Sequence, residues 1–192
     1  AHDTMPIAGK DLRLGLDIEL QALGEELMKD KIGSIVAIEP STGEILCMVS
    51  APTYDPRLLV GRSRGENHKA LSQDKRKPLM NRAVMGTYPP GSTFKTSQAL
   101  TFLQEGIITP ETNFPCAGGF RLNKFKLGCH AHPSPLPLGP SIATSCNAYF
   151  CWGLVRMFSS SRYSGTAEAM NRWRDYMVSM GFGYPLGVDL PG

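Results

Sequence analysis

No stretch of the sequence approaches the roughly 18 to 20 uninterrupted apolar residues that a membrane span needs. The N-terminus has neither the positively charged region nor the apolar region of a signal peptide. Any membrane anchor or export signal is therefore expected outside these 192 residues. Charge of one sign is scarce as well. Lys and Arg total 20 against 17 Asp and Glu, a formal +3, so no strong field marks a nucleic-acid binder and no nucleic acid is expected as a partner. Internal repeats are lacking, and the 15 prolines and 20 glycines are scattered as turns instead of forming a disordered block. There is no C-x-x-C pair, which removes the common zinc-finger spacing, and five cysteines are an odd number that intrachain disulfides alone would not use up. What is present is 42% apolar and 19% charged residues, enough for one ordinary globular domain over 1–192.

Asp17 is a good N-cap, followed by Glu19 in a first turn and by Leu20, Leu23 and Leu27 at helical spacing, which predicts a helix ending near 31–33. Two β-rich runs, 34–39 and 44–50, flank Pro40-Ser41-Thr42-Gly43 and predict a hairpin, with Cys47 buried in its second strand. From Ala51 to Met80 the text is polar and irregular and reads as a solvated surface excursion. A second helix is expected just after Pro89-Pro90-Gly91, with Phe94, Ala99, Leu100 and Leu103 at helical spacing and Ser92 at its start. The stretch 110–140 has Gly, Pro, Cys and His but little periodicity, so something other than an apolar stripe must fix its shape. A short helix is expected at 141–145, part of another at 149–158, and an amphipathic one at 166–180 with Met170, Trp173, Met177 and Met180 on one face. Residues 181–187 read as a loop leading toward a further strand.

Ser92-Thr93-Phe94-Lys95 places a hydroxyl and an amine on one face of a helix, within contact range. A serine is a poor nucleophile until a base takes its proton, and a lysine can do so when burial lowers its pKa. Free N–H groups at a helix start further favour negative charge on the reacting oxygen. S-x-x-K alone is common and equally describes a capped, solvated helix. Ser145-Cys146-Asn147, further along, adds a second hydroxyl and an amide able to relay protons and orient a peptide.

S-x-x-K, S-D-N and K-T-G are together the signature of penicillin-binding proteins and serine β-lactamases, and here Cys146 stands in the middle position of the second motif. With Asn81-Arg82-Ala83, Tyr88-Pro89-Pro90-Gly91-Ser92-Thr93-Phe94-Lys95, the hairpin text 38–46 and the opening Leu16-Asp17-Ile18-Glu19-Leu20-Gln21, the chain resembles class B penicillin-binding proteins over nearly its whole length, and most of all the branch that serves cell elongation. The resemblance implies an α+β fold of the β-lactamase/D,D-transpeptidase type, an antiparallel sheet flanked by helices, cut before the later sheet strands. It also implies a membrane anchor and pedestal outside 1–192, with the catalytic domain on the periplasmic side of the inner membrane. Carried over residue by residue, it makes Ser92 the nucleophile on a stem-peptide D-Ala carbonyl and Lys95 its proton acceptor. Ser145 becomes the proton relay to the leaving D-Ala, and Asn147 the group that holds the substrate amide. The implied partners are peptidoglycan stem peptides, β-lactams, a glycosyltransferase and elongation-complex proteins. The family's third motif departs from the pattern, since no Lys-Thr-Gly or Lys-Ser-Gly follows Asn147. The 192 residues alone are therefore expected to lack most of the activity. A penicillin-sensing receptor domain and a serine β-lactamase are the alternative readings.

Cys116, Cys129, His130, His132 and Cys146 fall in or beside the turn-rich stretch. Thiolates and imidazole suit zinc, which could close this loop in place of a core, and a Cys116–Cys129 disulfide is the alternative. The resemblance implies a structural zinc on Cys116, Cys129, His132 and Cys146, with His130 as the alternative to His132, and no cofactor for the chemistry itself. Cys151, beside Trp152 in an apolar run, reads as core.

Overall fold

The structure, a computed structural model, describes residues 7–185 and 187. These divide into two compact units, one ending at Thr87 and the other starting at Tyr88.

In the first unit Asp17 caps α1 (Ile18–Leu27), its Oδ1 accepting the N–H groups of Glu19 and Leu20 at 3.0 Å. The helix lies against an antiparallel hairpin of β1 (Gly33–Ile38) and β2 (Ile45–Ala51), paired with Val36 opposite Met48. Residues of the helical segment also close the outer edge of β2. The Asp17 N–H donates to Leu46 O at 2.9 Å, and the Gln21 side-chain amide bonds both the N–H and the C=O of Met48. An open strand edge is thereby satisfied by a helix. Cys47 is buried, as its alternation with Ile45 and Val49 predicts.

The polar excursion 51–80 departs from expectation. It contains α2 (Arg64–Gln73), a helix with no buried residue, which left no apolar stripe to recognise. A short α3 (Arg82–Met85) follows, capped by the Asn81 side chain on Ala83 N–H. Buried Arg82 donates to the carbonyls of Lys77 and Arg76 and so fixes the end of the charged run.

In the second unit a single 3₁₀ turn, Gly91–Phe94, precedes α4 (Lys95–Gln104). The helix therefore starts three residues later than the apolar spacing indicates. The turn-rich stretch holds an unexpected hairpin, β3 (Gly119–Leu122) with β4 (Phe125–Gly128), turning at Asn123 with φ 53°. Then come α5 (Leu138–Ala143), α6 (Asn147–Phe158) and α7 (Thr166–Ser179). Phe102, Phe120, Tyr149, Phe150 and Met157 make the core between them. On α7, Met177 is buried, but Met170 is exposed, so the expected apolar face is narrower than drawn. The carboxylate of Glu105, just past α4, accepts from Tyr163, Tyr176 and Arg172, each at 2.6 Å, and ties that helix to α7. Burial raises the carboxyl's pKa, but those donors outweigh it and hold it at about 2.

Helices α4 and α6 meet at Gly153, where an added Cβ would lie 2.5 Å from Cε2 of fully buried Phe102. Gly153→Ala is expected to destabilise the protein by about 1–2 kcal/mol, the overpacking cost less the gain in helix propensity. Denaturant unfolding measures this, and an unchanged midpoint would show that the contact relaxes freely.

Candidate active site

Ser92 lies in the 3₁₀ turn, and Lys95 follows at its end. Side chains at i and i+3 eclipse in this geometry, which puts both groups on one side. Gly91 enters the turn with φ 61°, a left-handed conformation that glycine takes without steric cost.

Ser145 arrives from the other side through a helix end. Its N–H bonds Ile142 O at 3.0 Å and the Cys146 N–H bonds Ser141 O at 2.9 Å, the two bonds that close α5 as a Schellman motif. Ser145 therefore occupies the left-handed position with φ 53°, where glycine is usual, a strain of order 1–2 kcal/mol per residue. Cys146 then caps α6, its Sγ accepting the Tyr149 N–H at 3.4 Å, and Asn147 becomes the first helical residue.

These elements bring all four expected residues together. Lys95 Nζ donates to Ser145 O at 2.7 Å, to Ser145 Oγ at 2.9 Å and to Asn147 Oδ1 at 2.6 Å, using every proton of an ammonium group. Ser145 Oγ lies 2.8 Å from Ser92 Oγ. The direct serine–lysine pair expected from the sequence is replaced by a relay, with the Ser145 hydroxyl between them. Burial pushes the Lys95 pKa below the ordinary lysine value, against the opposing pull of the nearby thiols of Cys129, Cys146 and Cys151. The Asn147 side chain is held at its other end too, Nδ2 donating to Gly128 O on β4 at 2.7 Å. Beside Ser92 opens a cavity of ≈ 320 Å³ with Phe94, Leu127, Phe150 and Leu154 among its walls. Cys151 lines it as well; it packs against the core, as its apolar run indicates, but is only half-buried.

A second cluster adjoins the first. The ligand atoms of Cys116, Cys129, His132 and Cys146 all lie within 4.8 Å of one another, whereas His130 stands outside the group. All five cysteines are free thiols. Cys129 Sγ accepts the Ala148 N–H at 3.3 Å. His132 Nδ1 lies 2.6 Å from Pro133 O, while its Nε2 is buried with no hydrogen-bond partner. An imidazole with Nδ1–H donated to a carbonyl presents a bare lone pair on Nε2, the arrangement of a metal ligand. Burial opposes ionisation of Cys129, but hydrogen bonding led by the Ala148 N–H outweighs it and lowers its pKa, while burial lifts Cys146 to about 11. The donor set, its closeness and the orphaned nitrogen fit a tetrahedral zinc ion.

The family model of the penicillin binding protein transpeptidase domain matches residues 33–192. Peptidoglycan D,D-transpeptidase MrdA of Salmonella typhimurium is 42% identical over 193 residues, covering 98% of this chain and 29% of the relative. Among solved structures, Pseudomonas aeruginosa PBP2 in complex with WCK 5153 superposes with a TM-score of 0.80 at 33% identity, over 96% of this chain and 40% of that one. The imipenem acyl-enzyme complex of penicillin-binding protein A from M. tuberculosis gives 0.75 at 28% identity, over 88% and 40%. The chain spans less than a third of the length of the curated relatives it matches.

Proposed function

The chain belongs to the penicillin-binding protein transpeptidase family, and from that premise we propose that it is part of a peptidoglycan D,D-transpeptidase of the penicillin-binding protein 2 type, acting through a serine acyl-enzyme. The observation that carries this reading is the relay Lys95 Nζ–Ser145 Oγ–Ser92 Oγ, with steps of 2.9 and 2.8 Å. With Lys95 neutral, the Ser92 proton passes to Ser145 Oγ as the Ser145 proton passes to Nζ. Ser92 Oγ forms a bond to the carbonyl carbon of the penultimate D-Ala of a stem peptide. Collapse of the tetrahedral adduct breaks the amide bond, and the leaving D-Ala amine takes a proton back along the same relay. The amine of a neighbouring stem peptide then resolves the ester. Asn147 keeps a second N–H and a second lone pair for the substrate amide. β-Lactams acylate Ser92 by the same attack, their amide opening without a departing fragment.

Cys116, Cys129, His132 and Cys146 would hold a structural zinc ion. Four protein ligands leave no open position, so the metal supplies shape and not a Lewis-acid step. Cys146 lies between Ser145 and Asn147, so the site also sets the positions of both neighbours.

The same reading makes residues 1–192 the N-terminal part of one transpeptidase domain, anchored to the inner membrane by a segment outside them. Its periplasmic partners are a glycosyltransferase and elongation-complex proteins. Among the described residues no helix is long and apolar enough to cross a membrane.

A Lys-Thr-Gly strand supplies a further oxyanion N–H in this family, and loss of one such donor costs about 10²–10³ in rate. The 192 residues by themselves are expected to label slowly with a fluorescent penicillin, over hours, and to keep the label. Rapid stoichiometric labelling would refute the slow step, and rapid loss of label would favour a hydrolase over a transpeptidase.

A further inference from the structure

The β3–β4 hairpin carries an unfavourable charge arrangement. Phe120, Leu122, Phe125 and Leu127 alternate onto one face, where Phe120 packs on Trp152 at a centroid distance of 4.9 Å. On the other face Arg121 stands directly opposite Lys126, and Lys124 sits in the turn between the strands. Like charges opposite one another destabilise a sheet. All three cations are exposed and, among the described residues, none has a salt-bridge partner. The sequence contains no Asp or Glu between Glu111 and Glu168 to relieve them.

The strand edge points the same way. Gly128 O accepts from Asn147 Nδ2, whereas the Cys129 N–H is turned inward to Gly118 O at 3.0 Å. Main-chain groups alternate in direction along a strand, so the N–H and C=O of Lys126 face outward on the edge that Gly128 shares with Asn147. Lys126 lies two residues, about 7 Å, along that edge from the Asn147 contact. A Cβ on Gly128 would meet nothing within 4 Å, so the surface beside Lys126 is bare. Leu127, between the two, lines the cavity that also holds Ser92.

We propose that β4 is the docking strand for an anionic peptide donor: the extended chain upstream of the reacting carbonyl runs along its outer edge and sets a side-chain carboxylate against Arg121 and Lys126. The edge supplies main-chain hydrogen bonds, and the cation pair supplies selectivity for an acidic residue about two positions before the carbonyl that meets Ser92. This rests on Ser92 as the nucleophile for its direction but not for the anion site itself.

Two pentapeptides ending in D-Ala-D-Ala, one with Glu and the other with Gln two residues before the first D-Ala, test it by titration into the ¹⁵N-labelled chain. The Glu peptide is expected to shift the amides of Arg121, Lys124 and Lys126 and to bind about 5–10-fold more tightly at low salt. The advantage should shrink at high ionic strength, because the site is exposed. It should also vanish in the double variant R121Q/K126Q and fall in K126Q alone, both checked for fold by their unperturbed core amides. Equal affinity for the two peptides, or an advantage that survives the double substitution, overturns the proposal. Penicillin labelling of the unsubstituted chain is followed in parallel. If no label reaches Ser92 while the Glu peptide still selects the hairpin, the nucleophile assignment falls and the anion site stands; a label on Ser92 with no Glu preference gives the reverse.

Discussion

Lys95→Met is expected to slow covalent labelling by penicillin by about 10³-fold or more, within the range for removal of a general base and equivalent to about 4 kcal/mol. The methionine is of similar length but can neither donate nor accept the proton. It leaves Ser145 Oγ, Ser145 O and Asn147 Oδ1 without the donor that now serves all three at 2.6–2.9 Å. Part of the loss would thus come from misplacement of the relay. Lys95→Arg separates the parts, since arginine restores a cationic donor yet stays protonated at any working pH. If proton abstraction dominates, both variants are equally slow; if placement dominates, Arg recovers much of the rate. Intact-protein mass against time measures it, with an unchanged melting curve as the check on folding. Labelling of Lys95→Met within tenfold of the parent rate would remove lysine from the chemistry.

Stripping the Cys/His cluster of metal should have the next largest effect. Protein grown with zinc is expected to carry about one equivalent, and a chelator should lower the melting temperature of the second unit by about 15–30 °C. That corresponds to about 4 kcal/mol for an ion present at a thousand times its dissociation constant, acting on a unit of about a hundred residues. Residues 110–137 contribute few buried apolar side chains, so little else holds their shape. Ligation needs thiolates and a neutral imidazole, so the affinity should fall as pH is lowered. His132→Ala should lose the metal and His130→Ala should keep it, because only His132 reaches the cluster. Substoichiometric zinc with no change in melting on chelation would speak for thiols that merely pack together.

Much of the site was legible because its text is local. Tyr88 to Lys95 specify a turn, a nucleophile and a base within one stretch, and Ser145 to Asn147 announce a polar helix start. The relay was not legible, because it depends on Ser145 adopting a left-handed conformation at the end of α5, which no composition rule reveals for a serine. Helix α2 was missed because an exposed helix has no apolar period to detect. The hairpin β3–β4 did leave a signal, the paired triplets Phe120-Arg121-Leu122 and Phe125-Lys126-Leu127 around Asn123-Lys124, obscured by the glycines and cysteines on either side. His132 over His130 could not be decided from spacing alone, since both histidines follow Cys129 closely and only the backbone path past Pro133 turns one of them inward.

The most direct test of the account is to locate the penicillin adduct. After incubation and proteolysis, peptide mapping is expected to find one adduct, on Ser92, that is absent from Ser92→Ala and strongly reduced in Ser145→Ala. An adduct on another residue, or one that persists in Ser92→Ala, would contradict it.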